Sequence, residues 1–253
     1  MTEQRNLEIP YIRRGHIMEM LQLKKILSLE DLKNGLISTS SSTVRRDILF
    51  LQSQGQVLLL RGGNVKLRNA DSDEMPVEEK ARLHKNNKER IAKCAAGYIR
   101  EGETIYIDSG TTTAMLLRYL RDIKITIITS STYIIKDSDR FEGNLIVLGG
   151  EVNKSIASIN GPTTDRQMSE MYFDRAFIGA SAFSQAGGIS TYDIREASKK
   201  RIAQEHSRVT YVLADSSKAG KSVLCKAFSL SDCILITEDR NETTAMGNAV
   251  IAP

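Results

Sequence analysis

The chain has 253 residues, 41% hydrophobic and 26% charged, with a formal charge of +4; this excludes a disordered, fibrous or disulfide-built protein and leaves one large or two smaller globular domains. Three scattered cysteines, Cys94, Cys225 and Cys233, form no C-x-x-C pair, and no apolar run has membrane-spanning length, so a cytoplasmic protein with inert thiols is expected. The charge is uneven, with 11 Lys and Arg against 6 Asp and Glu in residues 1–68 and near neutrality beyond, which points to a small basic unit with a polyanionic partner beside a larger neutral one.

In the basic unit, Ile17, Met20 and Leu21 share one face of a first predicted helix. "SLEDLKNGL" predicts a second, with Ser28 as N-cap, Leu29 and Leu32 on one face and Gly35 as stop. After a spacer, "SSSTVRRDIL" (40–49) opens a third helix whose Val44, Ile48 and Leu51 can pack on the first two. That leaves Ser41, Ser42, Thr43, Arg45 and Arg46 at its outward N-terminal end. One serine suffices as a cap; hydroxyls clustered with two guanidiniums suit a helix that meets a phosphate backbone and base edges. The pattern is a helix-turn-helix with the third helix in the major groove. Gly55 is read as ending that helix, and the apolar run at 57–60, Arg61, the Gly62-Gly63 turn and "NVKL" as a hairpin, or wing, that brings Arg61 to a phosphate or the minor groove.

The polar, proline-broken "RNADSDEMP" (68–76) reads as a linker. A helix over 78–99 comes next, with Leu83, Ile91, Ala95 and Ile99 inward and His84 at the surface. Six short apolar runs, at 104–108, 125–129, 145–150, 175–180, 209–215 and 233–237, are spaced by helical or loop segments and predict a mainly parallel sheet covered on both faces. Ligands of such sheets sit at the carboxyl ends of the strands. There the sequence carries Asp108, Gly110, Thr111 and Thr112; Thr129, Ser130 and Ser131; Gly149 and Gly150; and Asp215 and Lys218. Carboxylates for sugar hydroxyls, with Lys218 and free backbone N–H groups for phosphate, describe a pocket for a small phosphorylated polyol. Glu196 and Lys200, one helical turn apart, read as an i, i+4 pair worth about 0.3–0.5 kcal/mol if exposed.

Taken together, "STVRRDILFLQSQGQVLLLRGGN" and the ordered D-x-G-T-T, T-[NS]-S, G-G, G-[LI]-[ST]-T, E-A-x-x-K-R and D-S-S-K-x-G elements resemble the DeoR family of bacterial transcription regulators over nearly the whole chain. The resemblance implies an α/β protein with a winged helix-turn-helix domain over 1–68, a linker over 69–80, and over 81–253 an effector-binding, Rossmann-like domain similar in fold to ribose-5-phosphate isomerase. It makes Arg45 and Arg46 DNA contacts, as phosphate clamps or guanine readers, and assigns Glu196 and Lys200 to the effector site. Ser181 and Ala182 stand where many members carry an acidic residue and glycine, Asp193 where Asn is common, and Lys80 where Arg is common. The expected partners are operator DNA, a phosphorylated sugar and a second copy of the chain, with no membrane, metal or organic cofactor; the expected output is repression of a carbohydrate-utilisation operon, relieved by the sugar phosphate. Two other readings are a sugar-phosphate isomerase using Asp108, Glu196, Asp215, Lys200 and Lys218, and a winged module for protein contacts.

Overall fold

The computed structural model describes residues 9–36, 39–53, 56–60, 62–67, 74–245 and 248–253. The chain divides into two compact units, residues 1–73 and 74–253.

The first unit runs α1 (Pro10–Lys24), β1 (Ile26–Ser28), α2 (Leu29–Gly35), α3 (Ser41–Ser53), β2 (Val57–Leu59) and β3 (Asn64–Leu67). Pro10 starts α1 with the fixed φ a first turn accepts. Ser28 caps α2 in a reciprocal box: its Oγ accepts from Asp31 N at 3.0 Å, and Asp31 Oδ2 accepts from Ser28 N at 3.0 Å. Ser40 caps α3, its Oγ accepting from Thr43 N at 3.2 Å. Ile17, Leu21, Leu32, Val44, Ile48 and Leu51 are buried in one core with Val57 and Val65, while Met20 and Leu29 pack at its margin. The wing hairpin closes through Gly62 and Gly63, at φ +85° and +79°, a left-handed pair that side chains with a Cβ rarely adopt. The helix stop read at Gly55 and the wing-tip Arg61 lie outside the described residues.

Periodicity missed β1, which pairs antiparallel with β3 (Leu27 opposite Val65) and makes the wing three-stranded, in the order β1-β3-β2. Three residues after Lys25, which turns the chain at φ +54°, are too few to show an alternation.

Asp47 is 1% exposed and tied to α1 by two guanidiniums: Arg13 Nε donates to Oδ2 at 2.5 Å and Arg14 Nε to Oδ1 at 2.8 Å. Arg13 is itself buried, so this pair fixes α3 against α1 with no solvent to replace a lost partner.

The second unit runs α4 (Val77–Arg82), α5 (Lys85–Ala96), β4 (Thr104–Ile107), α6 (Thr111–Ala114) continuing as a 3-10 turn, β5 (Thr126–Thr129), α7 (Thr132–Lys136), β6 (Asn144–Val147), the hairpin β7 (Glu151–Asn153) and β8 (Ser158–Asn160), α8 (Pro162–Ser169), β9 (Phe173–Gly179), β10 (Ala182–Ser184), β11 (Gly188–Thr191), α9 (Ile194–Glu205), β12 (Ser207–Leu213), β13 (Cys225–Phe228), β14 (Ile234–Thr237), α10 (Glu242–Ala245) and β15 (Ala249–Ile251). The helix expected over 78–99 is two helices, because His84 adopts φ +50° and turns the chain between them.

Seven strands form one parallel sheet in the order β15-β14-β12-β9-β4-β5-β6. All six predicted runs are in it, and β15 is an addition. Alternate residues serve opposite faces: Ile105, Ile107, Phe177, Tyr211 and Leu213 pack with Ile91 and Ala95 of α5, whereas Tyr106, Ile178 and Val212 pack with Met168 of α8 and Ala197 and Ala203 of α9. Beside it, β10, β11 and β13 make a small antiparallel sheet that the sequence did not announce. Among the described residues no helix is long and apolar enough to cross a membrane.

Replacing Asp47 by Asn keeps the shape but removes the charge of the carboxylate that Arg13 and Arg14 share. Chemical denaturation monitored on the first unit is expected to show a loss of about 3–5 kcal/mol; a loss below about 1 kcal/mol, the range of a surface pair, means the pair does not hold α3.

Candidate functional site

In the first unit, α3 has a packed face and an outward one. Ser41, Ser42, Arg45 and Arg46 are exposed, and Thr43 is half-buried with Oγ1 2.8 Å from Ser40 Oγ. Neither Arg45 nor Arg46 is drawn into an ion pair among the described residues, in contrast to Arg13 and Arg14. Leu49, which sequence reasoning passed over, is 49% exposed one turn beyond Arg45. The apolar stripe at 44, 48 and 51 predicts that orientation, since whatever is out of phase with it faces out.

In the second unit the sheet order reverses between β4 and β9: chain order proceeds from β4 to β6 on one side and from β9 to β15 on the other. Helices leave such a pair in opposite directions, and a crevice opens outside their carboxyl ends. The two strand ends meet backbone to backbone, so that a Cβ on Gly110 would lie 3.5 Å from Gly179 Cα and one on Gly179 3.4 Å from Gly110 Cα. A cleft opens here, about 510 Å³ counting its mouth, lined among others by Gly110, Thr111, Thr112, Ser181, Thr191 and Lys218.

Its floor is ionic. Asp108 is fully buried; its Oδ2 accepts from Gly179 N at 3.1 Å and from Lys200 Nζ. Lys200 Nζ lies 3.9 Å from Glu196 Oε2. Glu196 Oε1 in turn accepts from Ser158 Oγ at 2.6 Å, Asn160 Nδ2 at 3.1 Å and Lys199 Nζ at 3.0 Å. Burial would raise the Glu196 carboxyl, but the charges of Lys199 and Lys200 and the donors on β8 bring it down to about 2. Burial likewise works against the Lys200 ammonium, and the charges of Asp108 and Glu196 overcome it and hold its pKa above the ordinary lysine value. This is a buried network joining β4, β8 and α9, unlike the exposed i, i+4 pair considered from sequence.

The wall holds more lysine. Lys218, three-quarters buried, has Nζ 3.8 Å from Asp215 Oδ2, and burial, reinforced by Lys80 and Lys200, pushes its pKa down against the pull of Asp215. Asp215 is 1% exposed; burial would raise its carboxyl, but Lys218, Ser217 and Lys88 hold it low. Burial and the nearby Lys218 charge push Lys88 down to about 8. Lys80 Nζ meets Glu74 Oε1 at 2.8 Å on the cleft lining.

The structure therefore brings Asp108, Gly110, Thr111, Thr112, Glu196, Lys200, Asp215 and Lys218 to one edge. It does not bring the second and third strand ends onto the cleft lining. Thr129, Ser130 and Ser131 are fully buried and committed: Thr129 Oγ1 donates to Ile107 O at 2.6 Å, Ser130 Oγ is 3.0 Å from Tyr106 OH, and Ser131 Oγ caps α7. Gly149 N donates to Gln167 Oε1 at 2.8 Å, and Gly150 enters the β7 hairpin at φ +152°. Their similarity to the first strand end in sequence hid a difference in position, since β5 and β6 lie on the far side of β4 from the switch point. Lys80, Lys88, Ser181, Thr191 and Lys199 were not chosen from sequence; Lys199 can be found from periodicity, because a residue three after Glu196 shares its face. Asp193, where Asn is common, caps α9 by accepting from Arg195 N at 2.8 Å and stays off the cleft lining. Among the described residues no group of three or more His, Cys, Asp or Glu side chains is placed to hold a metal ion.

Known proteins share both units. Residues 13–69 match the DeoR-like helix-turn-helix domain, and residues 83–240 match the DeoR C terminal sensor domain. The uncharacterized HTH-type transcriptional regulator FruR of Bacillus subtilis (strain 168) is 31% identical over 92% of this chain and 92% of its own. The lactose phosphotransferase system repressor of Staphylococcus epidermidis is 29% identical over 81% of this chain and 83% of its own. Ribose 5-phosphate isomerase A from Methanocaldococcus jannaschii aligns with 53% of this chain and 54% of its own at 20% identity and a TM-score of 0.40, too distant to bear on activity.

Because the folded Glu196 carboxyl is held below its ordinary 4.5, at about 2, its contribution to stability is complete above about pH 4.5 and lost as pH falls toward 2. Glu196→Gln is expected to lower the stability of the larger unit by about 3 kcal/mol at pH 7 and to flatten this acid limb. Urea unfolding from pH 7 down to pH 2 checks both; an unchanged acid limb means the network is not the group that titrates.

Proposed function

The chain belongs to the DeoR family of helix-turn-helix transcriptional regulators, and from that premise we propose that it represses a carbohydrate-utilisation operon and releases its operator when a phosphorylated sugar enters the cleft at the β4–β9 edge. It is a DNA-binding regulator, and its relatives are named as regulators and not as enzymes.

The DNA reading is carried by the outward face of α3. With Asp47 engaging Arg13 and Arg14 in the interior, Arg45 and Arg46 remain exposed with Ser41, Ser42 and Thr43 near the helix start. Guanidiniums there serve phosphate oxygens or guanine O6 and N7, and exposed Leu49 suits a thymine methyl. Gly62 and Gly63 give the wing its tight turn, and Arg61, beside them in sequence, is proposed as the wing's contact to the backbone or minor groove. One such unit contacts few bases, so two copies on an inverted repeat complete the reading.

The effector reading rests on chemistry at the switch point. Gly110, Thr111 and Thr112 offer close backbone and hydroxyls, Lys218 offers charge, and Asp108, Glu196 and Lys200 form the polar floor. Ser181 in place of an acid leaves one fewer carboxylate for sugar hydroxyls. Thr129, Ser130, Ser131, Gly149 and Gly150 shape the sheet edge and are not proposed as contacts. In the isomerase alternative two of the candidate acid-base groups, Asp108 and Glu196, are engaged by lysines. Ligand controls DNA affinity only through a difference in its affinity for two states of the protein.

Selection from random duplex DNA by the full-length protein is expected to enrich an inverted repeat. Arg45→Ala or Arg46→Ala should each cost about 1–3 kcal/mol, as relaxed specificity at one position for a base reader or a shallower salt dependence for a phosphate clamp. A sugar phosphate should lower operator affinity, and Lys218→Ala should blunt that response while leaving DNA binding intact. Failure to enrich any sequence overturns the DNA reading; an operator indifferent to every sugar phosphate overturns the effector reading.

A further inference from the structure

We propose that Glu74 is a built-in occupant of the effector cleft: its carboxylate holds the place of the ligand's anionic group, and an entering phosphate displaces it and releases residues 74–76. This rests on the cleft reading above and adds how occupancy is passed to the chain.

The carboxylates that face the cleft lysines differ in how they are held. Asp108, Glu196 and Asp215 are 3% exposed or less and belong to a strand end or a helix. Glu74 sits in a segment, 74–76, with no regular structure, and its side chain is 18% exposed. Its Oε1 lies 2.8 Å from Lys80 Nζ, and both residues line the cleft that Lys200 and Lys218 also reach. The Glu74 charge lies near enough to Lys200 to help hold that ammonium protonated. A carboxylate oxygen and a phosphate oxygen attract the same ammonium donors. A dianionic phosphate that takes Lys80 sets two negative charges against Glu74, and like charges do not share one small site.

The chain's connections make the exchange consequential. Glu74 is the first residue of the second unit. Three residues on, Val77 is buried and its N–H donates to Ser155 O at 2.8 Å, an anchor that does not depend on the ligand. With Glu74 seated, the second unit is held from residue 74; with Glu74 displaced, its first anchor is Val77. Phosphate in the cleft therefore releases residues 74–76 without moving a core element.

The test is hydrogen exchange of the full-length protein, read at the amides of residues 74–77, during titration with inorganic phosphate, ribose 5-phosphate and glucose 6-phosphate. Binding is expected to raise exchange across 74–77. Glu74→Gln should start with that exchange already high and bind the same probe about three- to tenfold tighter, since the competing anion is gone. Glu78→Gln, which removes an equal charge from an exposed helical position, should behave as the unsubstituted protein. If a probe binds, is weakened by Lys218→Ala, and yet leaves exchange at 74–77 flat with no gain in Glu74→Gln, the cleft is an anion site and the Glu74 device is wrong. If no probe binds either the unsubstituted protein or Glu74→Gln, the effector reading of the cleft fails and the device with it.

Discussion

A carboxylate at the end of a central strand cannot be stripped of water unless a cation comes with it. Asp108 lies at the carboxyl end of β4, fully buried, and the ammonium of Lys200 reaches it from α9, ninety-two positions along the chain. That ammonium brings Glu196, which in turn engages Lys199, Ser158 and Asn160. Each group is tolerable in the interior because the next is there. The consequence is positional: α9 is seated against the switch point of the sheet, the β7–β8 hairpin is drawn onto it, and the cleft acquires a floor that is polar but already paired. At its rim, Thr111, Thr112 and Lys218 line the opening.

The small unit uses the same device to a different end. Asp47 lies next to Arg46 in sequence but turns inward, where Arg13 and Arg14 neutralise it. Arg14 also lies over the Phe50 ring, 3.5 Å from its centroid. The pairing commits the acid of the R-R-D triplet to structure and leaves its two guanidiniums outward. An exposed carboxylate at 47 would instead present a negative charge to a phosphate backbone. Interior ion pairing in one unit shapes a cavity, and in the other it keeps two cations available on the surface.

Much of this was legible along the chain, for reasons of scale. The stripe at Val44, Ile48 and Leu51 identifies both faces of α3, so the exposure of Arg45 and Arg46 results from helical geometry alone. Six β-branched runs announced six strands of the parallel sheet, because strands buried on both faces must be apolar throughout; β6, at the sheet edge, is apolar though Ile146 and Val147 are exposed. Three-residue strands such as β1, β7, β8 and β10 carry no period to detect. The Thr129–Ser131 and Gly149–Gly150 segments read like ligand loops because strands of such a sheet commonly end in small polar residues that cap the next helix or close the next turn. Sequence motifs do not record which strand ends are neighbours.

The sequence by itself determined the two-unit division of charge, the helix-turn-helix face, the parallel sheet and the membership of a regulator family, since each is written in local periodicity or in motifs of contiguous residues. Only the tertiary structure decided which strand ends share the cleft, that Glu196 and Lys200 are buried, that Asp47 serves the interior, and that Glu74 reaches Lys80. Those facts depend on strand order and on charges meeting in places water does not reach. A carboxylate looks the same in a sequence whether it is solvated, paired in a core or seated in a cleft, and its meaning is set by the partner that folding brings to it.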